Sequence, residues 1–306
     1  MRDPFGQAPQ FLQAWARPLA EPPLNLKTLP LHIHEVLAAW IFYTVLSYIV
    51  SPILSTALFP QIYRGFSRRT QVSWHVHAVS FFQAILICVL AIYVLRYDYE
   101  LAGGSTDWRG RLFGYSGAAG LVQAMAAGYF LWDVWVSTVD FRIHGPGSLA
   151  HAISALVVTT IGFRPFANYY GLVFILYELS TPFLNIHWFL DKLQMTGSRA
   201  QWYNGMILLV TFGSCRLLWG TYQSYKIYSD LWNAVYKVNP NPIDTVRAGH
   251  TSALIDDLNH DNNIPMTVAI FYLASNTLLV FLNFYWFNAM IAAVTKRFKK
   301  PAGKKQ

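Results

Sequence analysis

Seven stretches of this chain are predominantly apolar, and its charged residues collect mainly in the connections between them. A helix needs roughly 20 mostly apolar residues to cross a bilayer. On that measure the pattern predicts spans at Glu35–Phe59, Val76–Leu95, Phe113–Ser137, Ser148–Phe163, Ala167–Leu190, Trp202–Tyr225 and Ile264–Thr295. The fourth is short. The fifth contains Pro182, whose missing N–H is expected to kink or split it. Around these spans lie a proline-containing amino-terminal segment at 1–34, a first span at 35–59, a polar loop at 226–263 and a basic tail at 299–306.

Composition strengthens this picture. Of 306 residues, 54% are hydrophobic and 12% charged, against about 25% charged in soluble domains. A soluble chain of this length has no means of hiding so much apolar surface. The aromatic share of 16% suits membrane interfaces, where Trp and Tyr concentrate. Residues 1–30 lack the short apolar core and cleavage site of a secretory signal peptide. Cys88 and Cys215 both fall inside predicted spans, so no disulfide framework is expected.

The net charge of +8 does not form a nucleic-acid face. Six basic residues crowd the stretch from Lys296 to Lys305, directly after the last span. Such a cluster suits an anionic cytosolic leaflet. With Arg64, Arg68 and Arg69 on the same side, the positive-inside rule places the tail in the cytosol and the amino terminus in the lumen. The loop residues Asp256, Asp257, His260 and Asp261 read as a solvated acidic patch, and no metal centre is expected.

Three groups are out of place in lipid: Asp133, His151 and Glu178, on three successive spans. An ionised side chain at the bilayer centre costs roughly 2.5–3.5 kcal/mol on insertion scales, so such groups face a cavity or a partner. The expected fold is therefore an all-α, polytopic bundle of about seven helices enclosing a lipid-accessible cavity. Asp133 shares a helical face with Tyr129 and Gln123, and Glu178 shares one with Thr181, Asn185 and Trp188. Arg216 on the sixth span is a natural partner for Glu178. His151 has the chemistry of a general base, a proton relay or a nucleophile, and Asp133 is a plausible orienting carboxylate. Each residue also has a plainer reading: Asp133 as a hydrated helix end, His151 as a structural hydrogen-bonding group, Glu178 with Arg216 as an inert ion pair.

The strings Ser73-Trp74-His75, Gly128-Tyr129-Phe130-Leu131-Trp132-Asp133 and Glu178 through Trp188, with His151 between them, resemble the TLC domain, which includes the ceramide synthases. The Glu-Leu-Ser-Thr-Pro-Phe-Leu-Asn string looks most like the transmembrane protein 56 type. The resemblance covers roughly residues 60–298. It implies a multi-pass endoplasmic reticulum protein, a six-helix unit around a lipid cavity, and a part in sphingolipid or phospholipid acyl-chain metabolism. In the synthases, paired histidines open the fourth-span motif and serve acyl transfer from acyl-CoA; here the pair reads Ala150-His151. Where the synthases carry two aspartates in the next span, this chain has Glu178 and Thr181. Three functions follow as alternatives. The chain binds or senses a membrane lipid, with Tyr129, Gln123, Thr181, Asn185, Trp188 and Arg216 as lining. Alternatively, it is an N-acyltransferase using His151, Asp133 and Glu178, with acyl-CoA as co-substrate and no bound cofactor. The last alternative is a transporter or receptor. Homo-oligomers and accessory subunits stay open.

Overall fold

The computed structural model describes residues 1–99, 101, 105–236 and 265–298. All regular structure among them is helical, and the fold is an all-α bundle. A short helix, α1 (Gln10–Ala20), precedes the first long rod. In that rod α2 (Leu29–Val45) passes through a π-helical turn at Leu46–Val50 into α3 (Ser51–Leu58). After α4 (Pro60–Arg64) comes the second rod, α5 (Arg68–Tyr97). The short α6 (Trp108–Phe113) leads to the third and fourth rods, α7 (Gly117–Val139) and α8 (Phe141–Ile161). The fifth consists of α9 (Asn168–Ile175), a 3-10 segment at Leu176–Ser180 and α10 (Thr181–Lys192). The sixth joins α11 (Arg199–Phe212) through a π-helical segment at Gly213–Trp219 to α12 (Gly220–Tyr236). The seventh is α13 (Met266–Phe298).

The rods outrun the apolar stretches that predict them. The first begins at Leu29, so the expected boundary after residue 34 falls inside a helix. The second begins at Arg68 and not at Val76, because Ser67 caps it by accepting a hydrogen bond from the Thr70 N–H. Ser116 and Ser198 cap α7 and α11 in the same way. The opening of the expected 226–263 loop is helical through Tyr236, and the amino-terminal segment holds α1. Hydropathy reports the lipid-matching part of a helix, whereas capping decides where it starts. The acidic group Asp256, Asp257, His260 and Asp261, and the tail side chains from Lys296, lie outside the described residues.

In the fourth rod, Gly145 adopts φ 79° and ψ 175° immediately before Pro146, so the helix kinks at the His144–Gly147 turn. Only glycine takes that backbone geometry without steric cost.

Rods two to seven form a ring. Neighbours in order are α7 with α8, α8 with α13, α13 with α12, the sixth rod with the fifth, α10 with α5, and α5 with α7. The first rod packs outside this ring against α7 and α5. Helix α7 is the most enclosed, and half of its buried residues are small: Ala118, Ala119, Gly120, Ala124, Ala126, Ala127 and Gly128. Small residues of this kind let helix backbones approach closely in lipid.

The outer surface is apolar: Ile41, Phe42 and Val45 on α2, Ile85, Val89 and Ile92 on α5, and Ile270, Phe271 and Phe281 on α13 are all exposed. Among the described residues, Leu29–Leu58, Arg68–Tyr97 and Met266–Thr295 are each 30 residues long and apolar enough to cross a membrane by themselves. At 1.5 Å per residue, that length is about 45 Å, ample for a hydrocarbon core of roughly 30 Å. This is a membrane protein.

At the α6 end, Arg111 locks three elements. Its Nε and Nη2 donate to the two carboxylate oxygens of Asp230 at 2.7 and 2.8 Å, and the Tyr170 hydroxyl donates to the same carboxylate at 2.5 Å. Lysine places one ammonium where this fork places two parallel N–H groups. Arg111→Lys is therefore expected to destabilise the bundle by about 1–3 kcal/mol. Equilibrium unfolding in detergent micelles measures this; an unchanged stability would mean that the pair is hydrated.

Candidate functional site

The fifth and sixth rods leave α geometry where they meet. Pro182 has no N–H, and the residues before it tighten into the 3-10 segment Leu176–Ser180. Facing it is the π-helical segment Gly213–Trp219, which contains Arg216. A one-turn π segment within a helix is often found at a functional site. Here it places a guanidinium against a broken backbone.

Arg216 is buried, and four of its five N–H groups are engaged. Nε donates to the Tyr177 carbonyl and to Ser180 Oγ, both at 3.0 Å. Nη1 donates to Asn283 Oδ1 at 3.2 Å. Nη2 donates to Thr181 Oγ1 at 2.8 Å and to Glu178 Oε1 at 3.2 Å. The backbone acceptor released by the helix break is thus captured by Arg216. A guanidinium has five N–H groups in a rigid fork, so one N–H, on Nη1, is left to meet a bound group.

Beside this junction lies a cavity of about 750 Å³, counting its open mouth. Each rod of the ring contributes: Gln83 and Ile87 from α5, Gln123, Tyr129 and Phe130 from α7, and His151, Ala155, Val158 and Thr159 from α8. The fifth rod adds Gly171, Phe174, Ile175, Tyr177 and Glu178, the sixth Arg216, and the seventh Asn276, Leu279 and Asn283. No residue of the first rod is in the lining. Apolar walls interrupted by a few polar groups are the usual make-up of a ligand site.

His151 is packed edge-on between Phe130 and Trp286, at ring-centroid distances of 6.2 and 5.4 Å. Its Nδ1 is buried and has no hydrogen-bond partner. The charged groups Glu178 and Arg216 line the same cavity. Gln123 donates its amide to the Thr159 carbonyl, and Tyr43 from the first rod donates its hydroxyl to Gln83.

Of the residues singled out from sequence, the structure brings His151, Glu178, Tyr129, Gln123 and Arg216 to the cavity wall. It does not bring Asp133 there. Asp133 is half-buried, bonds to Ser137 one turn on, and makes no hydrogen bond with His151. Thr181 stands behind the wall as an acceptor for Arg216. Asn185 and Trp188 belong to a different cluster. Asn185 Oδ1 lies 2.7 Å from His77 Nδ1, its amide donates to Ser80 Oγ at 3.2 Å, and Trp188 stacks on His77 with centroids 4.2 Å apart. These contacts clamp α10 to α5.

The sequence matches the description TLC domain over residues 73–292. The chain belongs to the TLC-domain family. An uncharacterised TLC domain-containing protein of Schizosaccharomyces pombe is 36% identical over 291 residues, covering 95% of this chain and 88% of its own length. Topoisomerase I damage affected protein 4 of Saccharomyces cerevisiae is 26% identical over 278 residues, covering 89% of this chain and 87% of its own. Human TLC domain-containing protein 4 is 24% identical over 178 residues, covering 57% and 65% respectively.

In this TLC-domain protein the matched region contains the whole cavity lining. Sequence reasoning missed Gln83, Tyr177, Asn276 and Asn283, because it weighed ionisable groups above amides. A signal was present. Asn276 and Asn283 are seven residues apart on the last span, hence on one face, and both are buried. An amide within a lipid-crossing helix marks an inward face almost as well as a charge does.

Proposed function

We propose that this TLC-domain protein binds a membrane lipid in the cavity of its six-rod ring and thereby influences the acyl-chain composition of membrane lipids. The observation that carries this reading is the lining itself: six rods enclose aliphatic and aromatic walls with a handful of imidazole, amide and hydroxyl groups. The walls suit acyl chains, and the polar groups suit a hydrogen-bonding headgroup. Because Arg216 is paired with Glu178, the wall offers dipoles in preference to unpaired charge. We place the protein in the endoplasmic reticulum membrane with its carboxy terminus in the cytosol, on the basis of the family and the basic tail.

Purification in mild detergent followed by lipid mass spectrometry tests the reading. The expected result is one lipid class enriched well above its share of the source membrane. A co-purifying profile identical to bulk lipid would defeat it.

One observation favours a second reading, acyl transfer to a long-chain amine: His151 Nδ1 lies buried and unpartnered beside Glu178. In that reaction the amine nitrogen attacks the thioester carbonyl of acyl-CoA, His151 takes the ammonium proton, and the CoA thiolate leaves. With long-chain amine and labelled acyl-CoA, amide should form in the native protein and be lost at least 100-fold in His151→Ala. Amide formation that survives the substitution removes His151 from the chemistry.

A further inference from the structure

A second convergence of ligand-type side chains lies near the amino-terminal end of α2, and no residue of it lines the cavity. The segment before α1 brings Asp3 against α2, where it meets His32 and Glu35. The donor atoms of these three residues all lie within 4.8 Å of one another. His32 Nδ1 is 2.7 Å from Glu35 Oε2 and 3.4 Å from Asp3 Oδ2. His32 and Glu35 are 2% and 5% exposed, so this is no surface acidic patch.

Three features mark it as a built site. The first is an unmatched acceptor: Glu35 Oε1 is buried and has no hydrogen-bond partner. With both carboxylates ionised, as ligands to a cation would be, two of them facing one imidazolium leave a net negative charge. The second is orientation. His32 Nε2 is 2.6 Å from the Tyr115 hydroxyl, so the ring is pinned with Nδ1 toward the carboxylates. A metal-ligating histidine commonly donates its other N–H to such an outer partner. The third is room made by α7. A β-carbon at Gly117 would lie 2.6 Å from the Asp3 backbone nitrogen, and one at Gly120 would meet the His32 ring within 2.8 Å of Cε1. Larger residues at those positions would displace two of the three donors.

We propose that Asp3, His32 and Glu35 bind a divalent metal ion of the zinc or manganese type, through Nδ1 and an oxygen from each carboxylate. Bonds of about 2.0–2.2 Å hold tetrahedral donors roughly 3.3–3.6 Å apart. His32 and Asp3, at 3.4 Å, already fit, and His32 and Glu35, at 2.7 Å, must open by less than about 1 Å. One imidazole with two carboxylates suits these borderline-to-hard ions better than copper(I) or a cluster, which favour thiolates. The ion would neutralise the excess charge and fasten the amino-terminal segment to α2 and α7. From sequence no metal centre is expected here, since Asp3 joins the other two only through the fold.

The test uses the full-length protein in detergent, stripped with a chelator and titrated with Zn²⁺ and with Mn²⁺. Bound metal is counted by elemental mass spectrometry, and thermal unfolding is followed in parallel. The expected result is one chelator-sensitive ion per chain that raises Tm, with affinity reduced at least tenfold in Asp3→Asn and in Glu35→Gln. Tyr115→Phe should weaken binding by about 10- to 100-fold, the usual effect of losing an outer partner. Asp3 lies outside the rods, so Asp3→Asn keeps the test decisive even if Glu35→Gln does not fold. No uptake at micromolar free metal overturns the proposal and leaves a proton-sharing His–carboxylate group. Uptake unchanged by both substitutions also overturns it, because the ion would then sit elsewhere.

Discussion

Arg216→Ala is expected to cost the bundle about 3–5 kcal/mol, the usual penalty for removing one partner of a buried ion pair. Its effect should exceed that of neutralising the other partner. Arg216 serves five acceptors on two neighbouring rods: the Tyr177 carbonyl, Ser180, Thr181, Glu178 and Asn283. Its loss leaves a carboxylate without its cation and strips the released backbone carbonyl of its strongest donor. Glu178→Gln removes the charge but leaves an amide oxygen in place of one of those acceptors and keeps the rest, so it should cost about 1–3 kcal/mol. In the double variant no charge is left uncompensated, and part of the Arg216→Ala loss should be recovered. Equilibrium unfolding in mixed micelles measures all three proteins. If Arg216→Ala loses no more than Glu178→Gln, the guanidinium is not what closes the helix break.

Ala155→Phe should empty the cavity while the bundle survives. Ala155 is buried on α8, one turn beyond His151 and one before Thr159, and it lines the cavity with both. A benzyl group there projects into unfilled space, so strain should stay near the lower end of the roughly 1–3 kcal/mol typical of overpacked cores. Retained lipid should fall about tenfold or more, equivalent to about 1.4 kcal/mol of binding. Ile153 provides the control, since it lies on the same helix but faces outward, 46% exposed. Ile153→Phe should leave lipid retention unchanged. Equal retention in Ala155→Phe and the native protein would place the lipid elsewhere.

Much of the architecture is legible before any coordinates. Apolar stretches locate the seven rods and Pro182 locates the break in the fifth, whereas the kink in the fourth lies ahead of its expected start at Ser148. The site is legible in part. His151, Glu178 and Arg216 stand out because each is costly in lipid, and all three reach the cavity. Asp133 stands out for the same reason, yet its carboxylate turns to Ser137 and not to His151. Asn185 and Trp188 share a helical face with Glu178, but the rod changes from 3-10 to α between them, and they meet His77 instead. A face computed for a regular helix does not survive that change of pitch.

By itself, the sequence determined that the chain is a helical membrane protein of the TLC-domain family, which of its side chains are expensive in lipid, and where its fifth rod must bend. These are local properties: transfer cost, φ preference and the missing N–H of proline belong to single residues. Only the tertiary structure decided the partners. It turned a π-helical segment so that Arg216 closes the break before Pro182, gathered amides from three rods around the cavity, and folded Asp3 onto His32 and Glu35. Such pairings depend on the rotation and depth of one helix against another, and the packing of the whole bundle sets both.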